Sequence, residues 1–187
     1  MPWLERLKIA VQVGNLLEYD AEAIGSTLRT DLRPYGKLSQ AVFAGREENL
    51  LDAVKTEALE RYGKAELSLG SGLSVPVLPE YGFPHPRFLV FAAMWNEENS
   101  YSRDLAYGCY ASILREASRR ACRSLAVPIF TLGDDRSGAV AGDTLKRLLF
   151  DFDELRNAED FPVVELAILS VDTVRVVGVQ EALRSLI

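Results

Sequence analysis

The stretch from Tyr101 to Gly138 constrains the fold of this chain more than any other. Leu105, Cys109, Ile113, Ala117 and Ala121 recur every four residues, with Leu114 on the same face. That spacing predicts one long amphipathic helix over Tyr101 to Cys122, with a single buried stripe. Leu125 to Phe130 follows, short and almost wholly apolar. It reads as a strand buried on both faces, as in the middle of a parallel sheet between helices. The strand gives way at Thr131, Leu132 and Gly133 to the polar run Asp134 to Gly138, and another helical pattern begins within a few residues. In an open α/β sheet, such strand ends are where ligands bind.

The same alternation runs through the rest of the chain. Leu7 to Gly14 and Glu22 to Thr27 read as strands, and Leu38 to Ala44 and Glu47 to Arg61 as helices. Ala65 to Leu78 alternates apolar and small polar residues around glycines, which predicts a hairpin. Phe88 to Met94 reads as a buried central strand and Gly138 to Asp153 as a helix. Val163 to Leu169 and Asp172 to Leu186 complete the pattern as a last strand and a last helix. Strands alternating with helices make the class α/β, with a mixed, mostly parallel sheet. A length of 187 residues, 48% of them hydrophobic, favours one domain over residues 1–187.

Charge and cysteine usage narrow the setting. A net charge of −6 disfavours nucleic acid and anionic membranes as partners. Cys109 and Cys122 lie on one predicted helix, about 20 Å apart at 1.5 Å per residue, so an intact helix keeps them from bridging. They read as small core residues in a reducing, cytoplasmic protein. Met1 to Ala10 carries Glu5, Arg6 and Lys8 where a signal peptide needs an apolar core. One histidine and two helix-borne cysteines do not form a transition-metal site.

The order of elements and several local sequences resemble the macro domain, the ADP-ribose-binding α/β module, from about Leu7 to Leu186. Gly14, Asn15, Leu16 and Leu17 stand where that family has Gly-Asp-Ile-Thr after its first strand. Ser26, Thr27, Leu28 and Arg29 stand at its Asn-Ala-Ala-Asn, and Leu32 at the Leu that follows. Pro34, Tyr35, Gly36 and Lys37 fill its glycine run. SLAVPIFTLG resembles its Ala-Phe-Pro-Ala-Ile-Ser-Thr-Gly signature, with Pro128 and Gly133 both present. The resemblance implies a three-layer α/β/α fold, an architecture shared with the amino-terminal domains of leucyl aminopeptidases.

The departures bear on the chemistry that the resemblance implies. The family's Asp accepts from the adenine amino group. Asn15 can accept there through its amide oxygen, though more weakly than a carboxylate, and it also suits a turn after Gly14. The family's de-ADP-ribosylating members use an Asn where Arg29 stands. Arginine donates and never accepts, which argues against hydrolysis by the usual route.

A glycine run lets backbone N–H groups approach a diphosphate at a helix start. Here only Gly36 remains, between Tyr35 and Lys37. Lys37 offers a charge in exchange, with Arg29 and Arg33 near in sequence; the same three cations also suit a solvated loop face. Across the cleft, Asp134 and Asp135 follow Gly133, and each carboxylate ~5 Å from a diphosphate opposes it by about 1 kcal/mol in a watery site. His85, between two prolines, has no identified partner for catalysis, and Trp95 suits either base stacking or packing under a loop.

The ligand-binding candidates are thus Asn15, Arg29, Tyr35, Gly36, Lys37, Thr131, Leu132, Gly133 and Asp134, with no catalytic residue, metal or cofactor. The function expected is a non-catalytic module that binds ADP-ribose or a related nucleotide through a rebuilt phosphate loop. The alternative is a macro-fold scaffold for protein assembly, as a homodimer or with another partner.

Overall fold

A computed structural model describes residues 2–98, 102–130, 135–154 and 160–187. Six strands, β1 (Lys8–Val13), β2 (Ala23–Arg29), β3 (Gly72–Pro76), β4 (Phe88–Trp95), β5 (Ser124–Pro128) and β6 (Glu165–Ser170), form one sheet in the order β1-β6-β5-β2-β4-β3. Every neighbouring pair is parallel except β3 with β4. The helices are α1 (Trp3–Arg6), α2 (Gly36–Phe43), α3 (Glu47–Tyr62), α4 (Arg103–Arg119), α5 (Ala139–Asp153) and α6 (Thr173–Ala182). One apolar cluster joins α1, α4, α5 and α6 to one face of the sheet, and a second joins α2 and α3 to the other. The arrangement is the expected three-layer α/β/α fold with a mixed, mostly parallel sheet.

Two expectations need correction. The stretch Ala65 to Leu78 does not close a hairpin. Only Gly72–Pro76 is a strand, and it pairs with β4. The residues before it find backbone partners elsewhere: Leu67 N–H donates to Thr30 and Gly70 N–H to Ala93. A left-handed Gly70, at φ 78°, turns the chain between them. The long helix also stops sooner than its apolar period suggests. Ser102 caps its start, its Oγ accepting from Leu105 N–H, and it ends at Arg119. Ala121 lies beyond it, exposed, at φ 54°. The buried face is wider than one stripe and includes Ala106, Tyr110 and Glu116 besides Cys109, Ile113, Leu114 and Ala117.

Side chains reach around both sheet edges. At β3 the Gly72 carbonyl accepts from the Tyr62 hydroxyl at 2.6 Å, and the Ser74 carbonyl from the Arg120 guanidinium at 2.8 Å. At β1 the Val11 carbonyl accepts from the Gln180 amide at 2.7 Å. Free edges invite strand pairing between molecules, and such contacts blunt them.

Candidate functional site

Strands β2 and β5 are neighbours, yet the chain leaves them in opposite directions. After β2 it passes to α2 on one face, and after β5 to α5 on the other. In open α/β folds the usual ligand crevice lies at the carboxyl ends of two such strands; residues 131–134 on its β5 side lie outside the described residues. β1 ends three strand spacings from β2, about 14 Å at 4.8 Å per strand.

Asn15 ends the β1 arm and serves the turn that follows. Its Oδ1 accepts from Leu17 N–H at 3.1 Å and its Nδ2 donates to Glu18 at 2.8 Å, capping a 3-10 turn over Leu16–Glu18. The side chain is exposed and its amide is already engaged at both ends.

The β2 arm is a tight loop. Arg29 N–H donates to the Arg33 carbonyl, and Leu32 N–H to the Arg29 carbonyl. This holds Leu32 at φ 67°, a left-handed conformation that costs a non-glycine residue about 1–2 kcal/mol. Full burial of the Leu32 side chain offsets that strain.

The arginines of this loop are not free cations. Asp31 accepts from Arg29 Nε at 3.0 Å and lies 3.6 Å from Arg33 Nε. Burial alone would raise the Asp31 carboxyl, but bonds from Arg29 and Arg33, and their charges, hold it below the usual range. The Arg29 guanidinium also lies 4.3 Å from the centre of the Trp95 ring and 3.8 Å from Glu97. Tyr35 stacks on the same indole at 5.4 Å and 17°, and burial raises its hydroxyl pKa. Trp95 therefore packs under the loop as an aromatic platform for two of the predicted site residues. Beside it opens a cavity of about 420 Å³ lined by Arg29, Thr30, Asp31, Asn96, Glu97 and Glu98. Three carboxylates against one guanidinium suit hydroxyl or cationic groups there better than phosphate.

The start of α2 has the opposite character. Its N-cap residue is Tyr35, and no side chain caps the helix. Gly36 stands at φ 80°, with no atom within 4 Å of the place a Cβ would occupy. Lys37 is exposed beside it and has no ion-pair partner among the described residues. Behind the helix start, Ser39 is buried and donates to the Thr27 carbonyl at 2.5 Å, tying α2 to β2. Open backbone N–H groups, a helix dipole and one ammonium together favour an anion.

Across the crevice, Thr131, Leu132, Gly133 and Asp134 lie outside the described residues. β5 is fixed immediately before them: the Tyr110 hydroxyl accepts from Phe130 N–H at 2.9 Å and donates to the Pro128 carbonyl at 3.0 Å. Asp135, absent from the residues chosen by sequence, sits where α5 begins. Its Oδ1 accepts from Ser137 N–H at 3.2 Å, Ser137 Oγ at 2.8 Å and Gly138 N–H at 3.1 Å, and its Oδ2 from Val140 N–H at 3.1 Å. Asp135 with a Ser two residues on and a helix just beyond was a readable turn-and-cap signal.

The fold has clear counterparts among solved structures. A point mutant of the Oceanobacillus iheyensis macrodomain with ADPR superposes with a TM-score of 0.73 at 18% identity, over 95% of this chain and 91% of that one. The Trypanosoma brucei macrodomain in complex with ADP gives 0.71 at 16% identity, over 97% and 70%. The macrodomain of Mycobacterium tuberculosis DarG gives 0.60 at 19% identity, over 87% and 97%. This chain has the macrodomain fold. By sequence, no protein-family model and no curated protein matches it. The macrodomain resemblance placed Arg29, Tyr35, Gly36 and Lys37 on one loop, and the structure brings Arg29 and Tyr35 together on Trp95. Asn15 follows β1, two strands beyond β5 in the sheet order.

Proposed function

We propose that this chain is a macro-fold binding module for ADP-ribose or a related nucleoside diphosphate, without hydrolytic activity. The observation that carries it is the start of α2. An uncapped helix end with a left-handed, unobstructed Gly36 and an exposed Lys37 opens at the strand-order switch between β2 and β5. Solved macrodomains that carry ADPR or ADP support a nucleotide of this kind as the ligand. The absence of hydrolysis rests on Arg29. It has no acceptor to offer, and its guanidinium is held by Asp31 and the Trp95 ring.

Calorimetric titration with ADP-ribose, at low and physiological salt, tests the reading. One-to-one binding is expected, weakened at least tenfold by Lys37→Glu, because the reversed charge opposes the diphosphate at the helix start. Wild-type protein that takes up no nucleotide at either salt sinks the proposal and leaves an assembly scaffold as the reading to pursue.

A further inference from the structure

Strands β2 and β5 lie side by side but stay paired for only part of their length. Among the described residues they pair at Ala23 with Leu125 and at Ile24 with Ala126, and no further. β2 continues to Arg29 beside β4, and β5 to Pro128 beside β6. The sequence supplies one reason for the split. In a parallel ladder alternate residues face each neighbour. Ile129 N–H donates to Leu169 of β6, so Ala126, Pro128 and Phe130 are the residues turned toward β2. Proline has no N–H to give, and the ladder stops there.

Past that point, backbone groups facing the split find partners in the helical layers. The Pro128 carbonyl accepts from the Tyr110 hydroxyl at 3.0 Å, and Phe130 N–H donates to the same oxygen at 2.9 Å. Tyr110 lies on α4, is 2% exposed, and stacks on the Phe130 ring with centroids 4.1 Å apart. On the opposite lip, Phe88 N–H of β4 donates to Glu22, so Thr27 is turned toward β5. Its carbonyl accepts instead from the buried Ser39 of α2 at 2.5 Å. Each lip is thus tied to its own layer, β5 to α4 on one face and β2 to α2 on the other.

We propose that Tyr110 and Ser39 are positioning residues for the nucleotide. Their hydroxyls hold the carboxyl ends of β5 and β2 apart, so that the split is open before the ligand arrives. The inference rests on this split being the nucleotide site. It adds that affinity is set partly from behind, by two buried side chains that lower the cost of ordering the site on binding.

The test compares wild type, Tyr110→Phe, Ser39→Ala and Tyr62→Phe by calorimetry with ADP. Tyr110→Phe keeps the ring on Phe130 and removes only the hydroxyl. Tyr62→Phe is the control, because it likewise removes a hydroxyl from a backbone carbonyl, that of Gly72 at the outer sheet edge. Amide hydrogen exchange at Phe130, measured without ligand, reports on the β5 lip itself. The expected result is ADP binding about tenfold weaker in Tyr110→Phe and in Ser39→Ala, and within about twofold of wild type in Tyr62→Phe. Exchange at Phe130 should be about tenfold faster in Tyr110→Phe. Should that variant fail to fold, Ser39→Ala against the same control decides the question. A folded crevice variant that binds ADP within about twofold of wild type overturns the inference and leaves the nucleotide reading intact. An equal loss in Tyr62→Phe, or unchanged exchange at Phe130 in Tyr110→Phe, overturns it too. Wild type that binds no ADP overturns the nucleotide reading and the inference with it.

Discussion

At the scale of single residues, Gly138 has little latitude. Its φ is 80°, and an added Cβ would overlap the Arg175 carbonyl oxygen at the start of α6. Gly138→Ala therefore meets two penalties, a left-handed backbone and a backbone collision. We expect a loss of about 2–4 kcal/mol in denaturant unfolding. A variant within about 0.5 kcal/mol of wild type would show that α6 can retreat from α5. The sequence shows a glycine after a polar loop, which identifies the turn. That α6 lies against it is a tertiary fact, because Arg175 is 37 residues further along the chain.

The fate of Arg29 follows the same logic. Its identity alone excluded the family's usual acceptor. Its confinement between Asp31 and the Trp95 ring depends on β2 and β4 being adjacent, with Arg29 and Trp95 opposite each other in register.

At the scale of elements, the edge strand β3 is clasped by two helices from opposite layers. Glu116 of α4 is 3% exposed and pairs with Arg61 of α3 and with Arg119 at 3.1 Å, while accepting from Ser74 Oγ at 2.9 Å. Glu57 of α3 in turn meets Arg119 at 3.0 Å and Arg120 at 3.2 Å. The network joins α3 to α4 around the sheet edge, and removing its buried carboxylate leaves Arg61 without its ion-pair partner. Glu116→Ala should cost about 3 kcal/mol or more, measured by urea unfolding, and Glu116→Gln less because one acceptor remains. Equal small losses in both would mean that water replaces the carboxylate. From the sequence, Glu116 is one charged residue on an amphipathic helix, with Ala117 beside it in the buried stripe. Its burial was not legible, because the partners that make burial tolerable lie on α3 and β3.

At the scale of the whole molecule, stability should fall on both sides of neutrality, for opposite reasons. Burial alone would raise the Asp135 carboxyl. The Ser137 hydroxyl and the N–H groups at the start of α5 outweigh it and hold the group below the usual range, as the arginines do for Asp31. A lowered folded pKa adds stability that is fully present above the unfolded value, near 3.9, and is lost as pH falls through the folded one.

The thiols act the other way. Burial pushes Cys109 up to about 12 and Cys122 up to about 11. Their contribution is intact below about pH 8.5, where the unfolded thiols are still protonated. It declines as pH rises toward the folded values, because the unfolded chain then loses protons that the folded one keeps. Urea midpoints between pH 3 and 11 should trace both limbs, and Cys109→Ala should flatten the alkaline one. A midpoint unchanged up to pH 11 would contradict the burial of these thiols.

The sequence by itself determined the α/β class and the strand and helix order. Each of these rests on local periodicity and turn chemistry, which a chain carries within a few residues. Tertiary structure alone decided that Ala65 to Ser71 joins no hairpin, and that Glu116 is buried against Arg61 and Ser74 at the β3 edge. Those outcomes depend on which distant backbone groups and charges come within about 3 Å of one another. A hydrogen bond or ion pair has directional strength only at that range, and only the folded chain sets it.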